Sequence, residues 1–188
     1  MYGDVFLSEF GKNPEFTSSF IVQKSTLIMS ISQFSETAFI LAIPFFLKRF
    51  GIKQVMLLSM VAWVLRFGLF AYGNPGDGLW MIIVSCIVYG MAFDFFNISG
   101  SLFVETSTDS TIRSSAQGLF MMMTNGFGAI FGSITSGYVI EKYFTTSVGK
   151  DWHTIWLSFA IYALVITIAF AVFFKHRHNP SDIEQVGH

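Results

Sequence analysis

The stretch Met-Ser-Ile-Ser-Gln-Phe-Ser-Glu, residues 29–36, places a carboxamide and a carboxylic acid inside a long apolar segment. That segment extends from about Ser18 to Leu47, which is more than the roughly 20 residues that a helix needs to cross a bilayer. Gln33 and Glu36 are three residues apart and therefore share one face of the helix. Polar side chains at membrane depth usually face a bundle interior or a water-filled path. The stretch thus predicts a membrane-spanning helix with one polar, functional face.

The composition supports an integral membrane protein. Of 188 residues, 53% are hydrophobic and only 12% are charged, whereas soluble domains carry about a quarter of charged residues. The mean hydropathy is +0.58. The net charge of -1 gives no reason to expect a nucleic-acid partner. The single cysteine, Cys86, excludes an internal disulfide and is interpreted as a small buried hydrophobic residue.

The hydrophobic runs predict an all-α integral membrane fold with five full spans. The spans cover about residues 18–47, 54–72, 79–104, 115–140 and 152–174, and residues 175–188 form a polar tail. Residues 1–10 are amphipathic and too short to span, so we expect them to be the outer end of a truncated preceding helix. With that piece the chain makes a six-helix bundle.

The distribution of basic residues predicts the orientation of the chain. One set of loops and the tail carries six lysines and arginines, whereas the other set carries three that are diluted by acidic residues. By the positive-inside rule, the first set and the C-terminus lie in the cytoplasm. Because helical spans are not found in outer-membrane barrels, we expect an inner-membrane location. The basic residues of the first set are Lys48, Arg49, Lys53, Arg113, Lys175 and Arg177.

Four spans carry a strongly polar residue away from their ends. Counted from the predicted cytoplasmic ends at 1.5 Å per residue, Glu36 lies at about 16 Å, Asp94 and Asn125 at about 15 Å, and Arg66 at roughly 18 Å. These depths cluster near the middle of a hydrocarbon core of roughly 30 Å. Polar residues at one common level predict a binding site or an ion pathway.

The third span places aromatic residues beside its acid. Tyr89, Phe93 and Asn97 follow one another at intervals of four residues, with Asp94 adjacent to them. An aromatic wall next to a carboxylate suits a flat polar ligand such as a base or a sugar ring, although simple packing of the aromatic residues stays open. For Arg66, we favour a structural role, in which it pairs with a neighbouring helix or loop carbonyl group, over a role in binding substrate.

Two further patterns bear on function. In the fourth span, Gly128, Gly132 and Ser136 form a small-residue series that predicts close helix contact. The chain has no metal-ligand motif, no cysteine pair and no phosphate-binding loop. We therefore expect a transporter rather than an enzyme, without a metal or another cofactor.

Several strings of the sequence closely resemble the bacterial nucleoside permeases, which are nucleoside:proton symporters of the major facilitator superfamily. The resemblance covers nearly the whole chain and corresponds to the C-terminal half of a twelve-helix transporter, from the outer end of helix seven onward. The strings are FTSSFIVQK (16–24), MSISQFSE (29–36), IPFFL (43–47), WVLRF (63–67), YGMAFDFFNISG (89–100) and AQGLFMMMTNGFG (116–128).

The resemblance implies the residues that contact nucleosides such as uridine and adenosine. They are Gln33 and Glu36 in helix eight and Tyr89, Phe93 and Asp94 in helix ten. In this interpretation the polar groups bind ribose hydroxyls and base edges, and the aromatic rings flank the base. Helices nine and twelve are peripheral in this superfamily, which agrees with a structural role for Arg66. The N-terminal six-helix half is not in this sequence.

The expected mechanism is proton-driven nucleoside uptake by alternating access, with the proton gradient as the energy source. A carboxyl group in a low-dielectric cavity takes up a proton more readily than one in water. Asp94 or Glu36 would carry the proton, and we favour Asp94, with Glu36 mainly a ligand. Arg66, Asn97 and Asn125 would support the site. The alternatives are a transporter of another solute, such as a sugar or a drug, and an inactive six-helix fragment that needs its N-terminal half.

Overall fold

The computed structural model describes residues 2–12, 22, 24–147 and 149–176. The predicted tail beyond residue 176 and the start of the first span at residues 18–21 lie outside these residues. The architecture is helical, as predicted, with one two-stranded hairpin in the loop before the last helix. The elements are α1 (Tyr2–Glu9), a 3₁₀ turn (Phe10–Lys12), α2 (Ser25–Tyr72), α3 (Leu79–Ser107), α4 (Arg113–Met121), a π-helix (Met122–Phe127), α5 (Gly128–Tyr143), β1 (Thr145–Thr146), β2 (Gly149–Lys150) and α6 (Trp152–Phe173).

Helix α2 consists of two arms that fold back on each other at Gly51. This residue has φ 77° and ψ 169°, a conformation that glycine adopts without a steric cost. Near the bend, Leu47 of the first arm and Ile52 of the second belong to one buried cluster. At the far ends, Ile28 and Phe70 belong to another. The two arms are therefore antiparallel, and a single non-helical residue makes the turn between the spans predicted at 18–47 and 54–72.

The helices have the length and apolarity of membrane spans. In the described part of the chain, three helices qualify: residues 26–72, 79–107 and 152–173. The first of these, with 47 residues, is long enough for the two crossings that its arms provide. The segment from α4 through the π-helix to α5 covers the fourth predicted span. Large apolar side chains such as Phe34, Leu41 and Phe173 are almost fully exposed, as expected on a surface that faces lipid.

Small residues bring α2 and α3 into close contact. A Cβ atom added at Gly90 would lie 2.5 Å from the backbone of Ser35 and Glu36, so the helices cross with almost no space between them. The Ser35 hydroxyl donates a hydrogen bond to the carbonyl oxygen of Ile87 at this crossing. In the other arm, Ser59 Oγ donates to the Ala92 carbonyl oxygen at 2.6 Å. These contacts fix the depth and rotation of both arms relative to α3.

Helix α5 stands apart from this packing. Ile140 is its one buried residue, and a Cβ atom added at Gly132 would meet no atom within 4 Å. The close helix contact that we predicted for the glycine series is therefore wrong within the described chain. One hydroxyl pair, Tyr2 with Ser136 at 3.3 Å, connects α5 to α1. A cavity of about 560 Å³ separates the remainder of the glycine face from α6.

Candidate functional site

A cavity of about 630 Å³ lies among α1, both arms of α2, α3, α5 and α6. Gln33 and Glu36 reach it from the first arm of α2, Arg66 from the second arm, and Tyr89 from α3. The cavity therefore collects four of the polar or aromatic residues that we selected from the sequence. Its amide, carboxylate and guanidinium groups all come from α2, and the rest of its wall is mostly aromatic.

Asp94 lies beside this cavity rather than in its wall. The residue is buried, with 8% of its surface exposed, and its Oδ2 atom makes no hydrogen bond within the described chain. Its carboxyl group is close enough to Glu36 for the two charges to interact. Two acids thus lie near each other at the crossing of α2 and α3. They differ in their access to the cavity, because Glu36 borders it and Asp94 is buried beside it.

Arg66 is both a structural residue and a part of the cavity wall. Its Nη1 atom donates a hydrogen bond to the Ser85 carbonyl oxygen at 2.9 Å, and the Ser85 hydroxyl donates in return to the Arg66 carbonyl oxygen at 3.2 Å. This is the pairing with a helix carbonyl group that the sequence suggested. Its side chain also borders the same cavity as Glu36, next to the predicted site residues.

The ring of Tyr89 is held from several sides. The guanidinium carbon of Arg66 lies 4.3 Å above its centroid, and Trp63 meets it edge-on at 5.7 Å. Phe93 stacks on it at 5.9 Å with an interplanar angle of 23°. The Tyr89 ring borders the same cavity as Glu36. Tyr89 is thus immobilised, whereas Phe93, which is 38% exposed, keeps a free surface.

The two asparagines do not reach the cavity. Asn97 Nδ2 donates to the Phe93 carbonyl oxygen, four residues earlier in the same helix, at 3.0 Å. Asn125 lies in the π-helix, where its amide contacts the sulfur of Met121 at 3.6 Å, and it borders a separate, shallow pocket on α5. The residues that share a membrane depth therefore do not all share a site.

Much of the aromatic wall was not predicted from the sequence. Trp156, Phe159 and Tyr162 of α6 line the cavity together with Tyr2 of α1 and Phe67 of α2. The three α6 residues recur every third position, and this spacing would have identified an aromatic face of the helix. Within the described residues, no cluster of histidine, cysteine and acidic side chains could hold a metal ion.

Comparison with known proteins gives consistent matches along the chain. The family described as nucleoside H⁺ symporter matches residues 1–179. The nucleoside permease NupG of Escherichia coli (strain K12) is 56% identical over 191 aligned residues, which cover 100% of this chain and 46% of the permease. The xanthosine permease of the same organism is 57% identical over 98% of this chain and 44% of its own length.

The solved structures give the same result. A crystal structure of the nucleoside transporter NupG superposes with a TM-score of 0.88 at 58% identity and covers 94% of this chain and 44% of that chain. A second crystal structure, of an aspartate-to-alanine mutant, gives a TM-score of 0.89. The helical membrane fold is therefore half of a major facilitator transporter, as the sequence predicted. The chain spans less than half the length of these relatives.

Proposed function

Because the chain belongs to the nucleoside H⁺ symporter family, we propose that it forms one half of a transporter that imports nucleosides together with protons. The observation that supports this proposal is the cavity in which Gln33 and Glu36 lie opposite an aromatic wall, with the enclosed acid Asp94 beside it. Polar groups that converge in an otherwise apolar, concave space are typical of a small-molecule site. The relatives named as nucleoside and xanthosine permeases favour nucleosides as the ligand class.

The side chains suit the two ends of a nucleoside. A carboxylate only accepts hydrogen bonds, so Glu36 matches the hydroxyl groups of the ribose, and the amide of Gln33 both donates and accepts. Phe93 is not among the residues that line the cavity, and we propose that its exposed ring, which stacks on Tyr89, extends the aromatic surface beside the site. Tyr89 then forms the aromatic part of the wall beside Glu36. Glu36 is thereby proposed as a substrate ligand.

The coupled proton is assigned to Asp94. Its Oδ2 atom lacks a hydrogen-bond partner, and an isolated charge is costly in such a setting, so the carboxyl group has reason to exchange a proton during the transport cycle. The neighbouring Glu36 carboxylate adds like-charge repulsion, which links the proton on Asp94 to the occupancy of the substrate site. The proton gradient is proposed as the energy source, without another cofactor.

Alternating access requires a second helical bundle. In transporters of this type, the two halves rock around a site at the midplane, and each half supplies one side of that site. We propose that the described chain works with an N-terminal six-helix half like that of the longer relatives. We further propose an inner-membrane location with the C-terminus in the cytoplasm, based on the basic residues that cluster near the bend at Gly51 and after α6.

Uptake of labelled uridine tests the proposal. The chain is expressed alone and joined to the N-terminal half of the Escherichia coli permease, in cells that lack nucleoside uptake. We expect the joined protein to accumulate uridine when a proton gradient is present and to be inhibited by adenosine rather than by sugars. Uridine accumulation that is inhibited by a sugar but not by adenosine would refute nucleosides as the substrate class.

Amide variants of the two acids test their separate roles. Asp94→Asn should abolish accumulation against a gradient but retain exchange of uridine across the membrane, because exchange needs no net proton movement. Glu36→Gln should raise the KM for uridine by about tenfold or more, the loss expected for one hydrogen bond to a charged group. The matched controls Asp109→Asn and Glu141→Gln change exposed acids. Gradient-driven accumulation by both site variants would refute proton coupling at these residues.

A further inference from the structure

We propose that Arg66 is a specificity-determining residue of the nucleoside site, and that its guanidinium group donates hydrogen bonds to carbonyl oxygens of the base. This inference rests on the proposed function, because it assigns a base-reading group to the same cavity. Arg66 is the cationic residue among those that line the described cavity, and it reaches the cavity from the second arm of α2.

The guanidinium group is fixed in position. Arg66 is 7% exposed, and its backbone and side chain both pair with Ser85 through the two reciprocal hydrogen bonds described above. Ser85 lies one helical turn before Tyr89 on α3, and the guanidinium packs over the Tyr89 ring. A donor held in this way loses little freedom when a ligand binds, which is the condition for selective recognition.

The Arg66 guanidinium group has more N–H donors than its hydrogen bond to Ser85 uses. A guanidinium group carries five N–H donors and no acceptor. Its hydrogen bond within the described chain goes to the Ser85 carbonyl oxygen. No ion pair joins Arg66 and Glu36 in the described residues, although the two charges are near enough to attract each other across the cavity wall. The other N–H groups of Arg66 are not among the enclosed, unpartnered atoms of the described residues, and a ligand in the cavity that Arg66 lines could offer them an acceptor.

The opposed polarity of the two groups orients the ligand. Glu36 only accepts hydrogen bonds and Arg66 only donates them. A nucleoside with its ribose hydroxyls at Glu36 presents its base toward Arg66. Carbonyl oxygens, as in uridine and inosine, then meet donors, whereas the exocyclic amino group of adenosine places a donor against a donor. Arg66 thus favours oxo bases over amino bases.

Inosine and adenosine are the probes, because inosine has a carbonyl group at C6 with N1–H, whereas adenosine has an amino group at C6 with an unprotonated N1. The KM of each is measured by uptake into cells that express the chain joined to the N-terminal half of the Escherichia coli permease. Arg66→Lys and Arg66→Gln should raise the KM for inosine by about tenfold to a hundredfold. The KM for adenosine should change by less than about threefold, on the same scale of hydrogen-bond energies. Arg113→Gln, which changes a partly exposed arginine 3.9 Å from Glu105, is the matched control and should change neither value.

A second variant covers the case in which both Arg66 variants fail to fold. Ser85→Ala removes the hydroxyl that anchors the Arg66 backbone and keeps the cation and the carbonyl group that it contacts. It should raise the KM for inosine relative to that for adenosine, by a smaller factor than the Arg66 variants. An equal change for the two nucleosides in every folded variant, Ser85→Ala included, would overturn the proposal and leave Arg66 a structural residue. Absence of any nucleoside uptake by the unchanged protein would instead contradict the proposed function itself.

Discussion

The crossing of α2 and α3 at Gly90 can be tested by adding a single methyl group. In Gly90→Ala the new Cβ atom would lie 2.5 Å from the carbonyl carbon of Ser35 and from the amide nitrogen of Glu36. Carbon atoms pack at about 3.5–4.0 Å, so the helices must separate by about 1 Å at this point. Both obstructing atoms belong to the backbone, which cannot rotate aside as a side chain does. The displacement carries Glu36 away from Tyr89 and weakens the Ser35 hydrogen bond to α3.

Two measurements follow from this displacement. Overpacking costs about 1–3 kcal/mol, and the greater helix propensity of alanine offsets up to about 1 kcal/mol of this cost. With the full offset, we expect a net destabilisation of up to about 2 kcal/mol, measured as a lower Tm in detergent. Misplacement of the Glu36 carboxylate should raise the KM for uridine by about tenfold or more.

The matched control is Gly132→Ala, where the added Cβ atom meets nothing within 4 Å. It should keep the KM and leave the Tm unchanged or slightly raised. A Gly90→Ala protein with the Tm and KM of the parent would show that α2 and α3 do not touch here, and the geometry derived for the site would then be incorrect.

Three further substitutions test other parts of the structure. Asn125→Ala should change the KM for uridine by less than about twofold, since its amide lies outside the cavity and makes no hydrogen bond to a charged group; a tenfold rise would contradict its placement. Ser59→Ala removes a buried hydrogen bond to Ala92 and should cost about 1 kcal/mol in thermal unfolding. Asp151 caps α6, and the hydroxyl and amide of Thr154 that donate to it hold the pKa of its carboxyl group below the ordinary 3.8. Asp151→Ala should therefore cost about 1 kcal/mol at neutral pH, and the difference from the parent should vanish as the pH falls below 3.8 through the lowered pKa; a difference that persists in acid would exclude the capping carboxylate as its cause.

The sequence was informative where a single physical rule applies. Long apolar runs indicated membrane helices, because every backbone polar group in lipid must be paired within the helix. The spacing of Gln33 and Glu36 placed both on one face, and both border the cavity. Counting residues along a helix gave depth in the membrane. It gave no rotation about the helix axis relative to other helices, and for that reason Asn125 shares a depth with Glu36 but not a site.

The positions of other residues depend on contacts between helices, which no single segment contains. Arg66 reaches the cavity that Glu36 lines because the second arm of α2 folds back at Gly51. That bend results from the conformation of one glycine, whereas the sequence suggested a longer loop. The aromatic wall from α6 depends on the same arrangement, since it forms only when the last helix packs beside the second arm.

The π-helix at Met122–Phe127 has a consequence for the whole fourth span. Its i→i+5 hydrogen bonds take up one residue more than an α-helical turn would. Deletion of one residue there would leave a continuous α-helix, and everything after it would turn by about 100° around the axis. Gln117, which exchanges hydrogen bonds with Ser101 on α3, would stay in place, while Ser136 would leave Tyr2. The π-helix thus sets the rotation of α5 relative to α4 about the helix axis, so that α4 contacts α3 and α5 contacts α1.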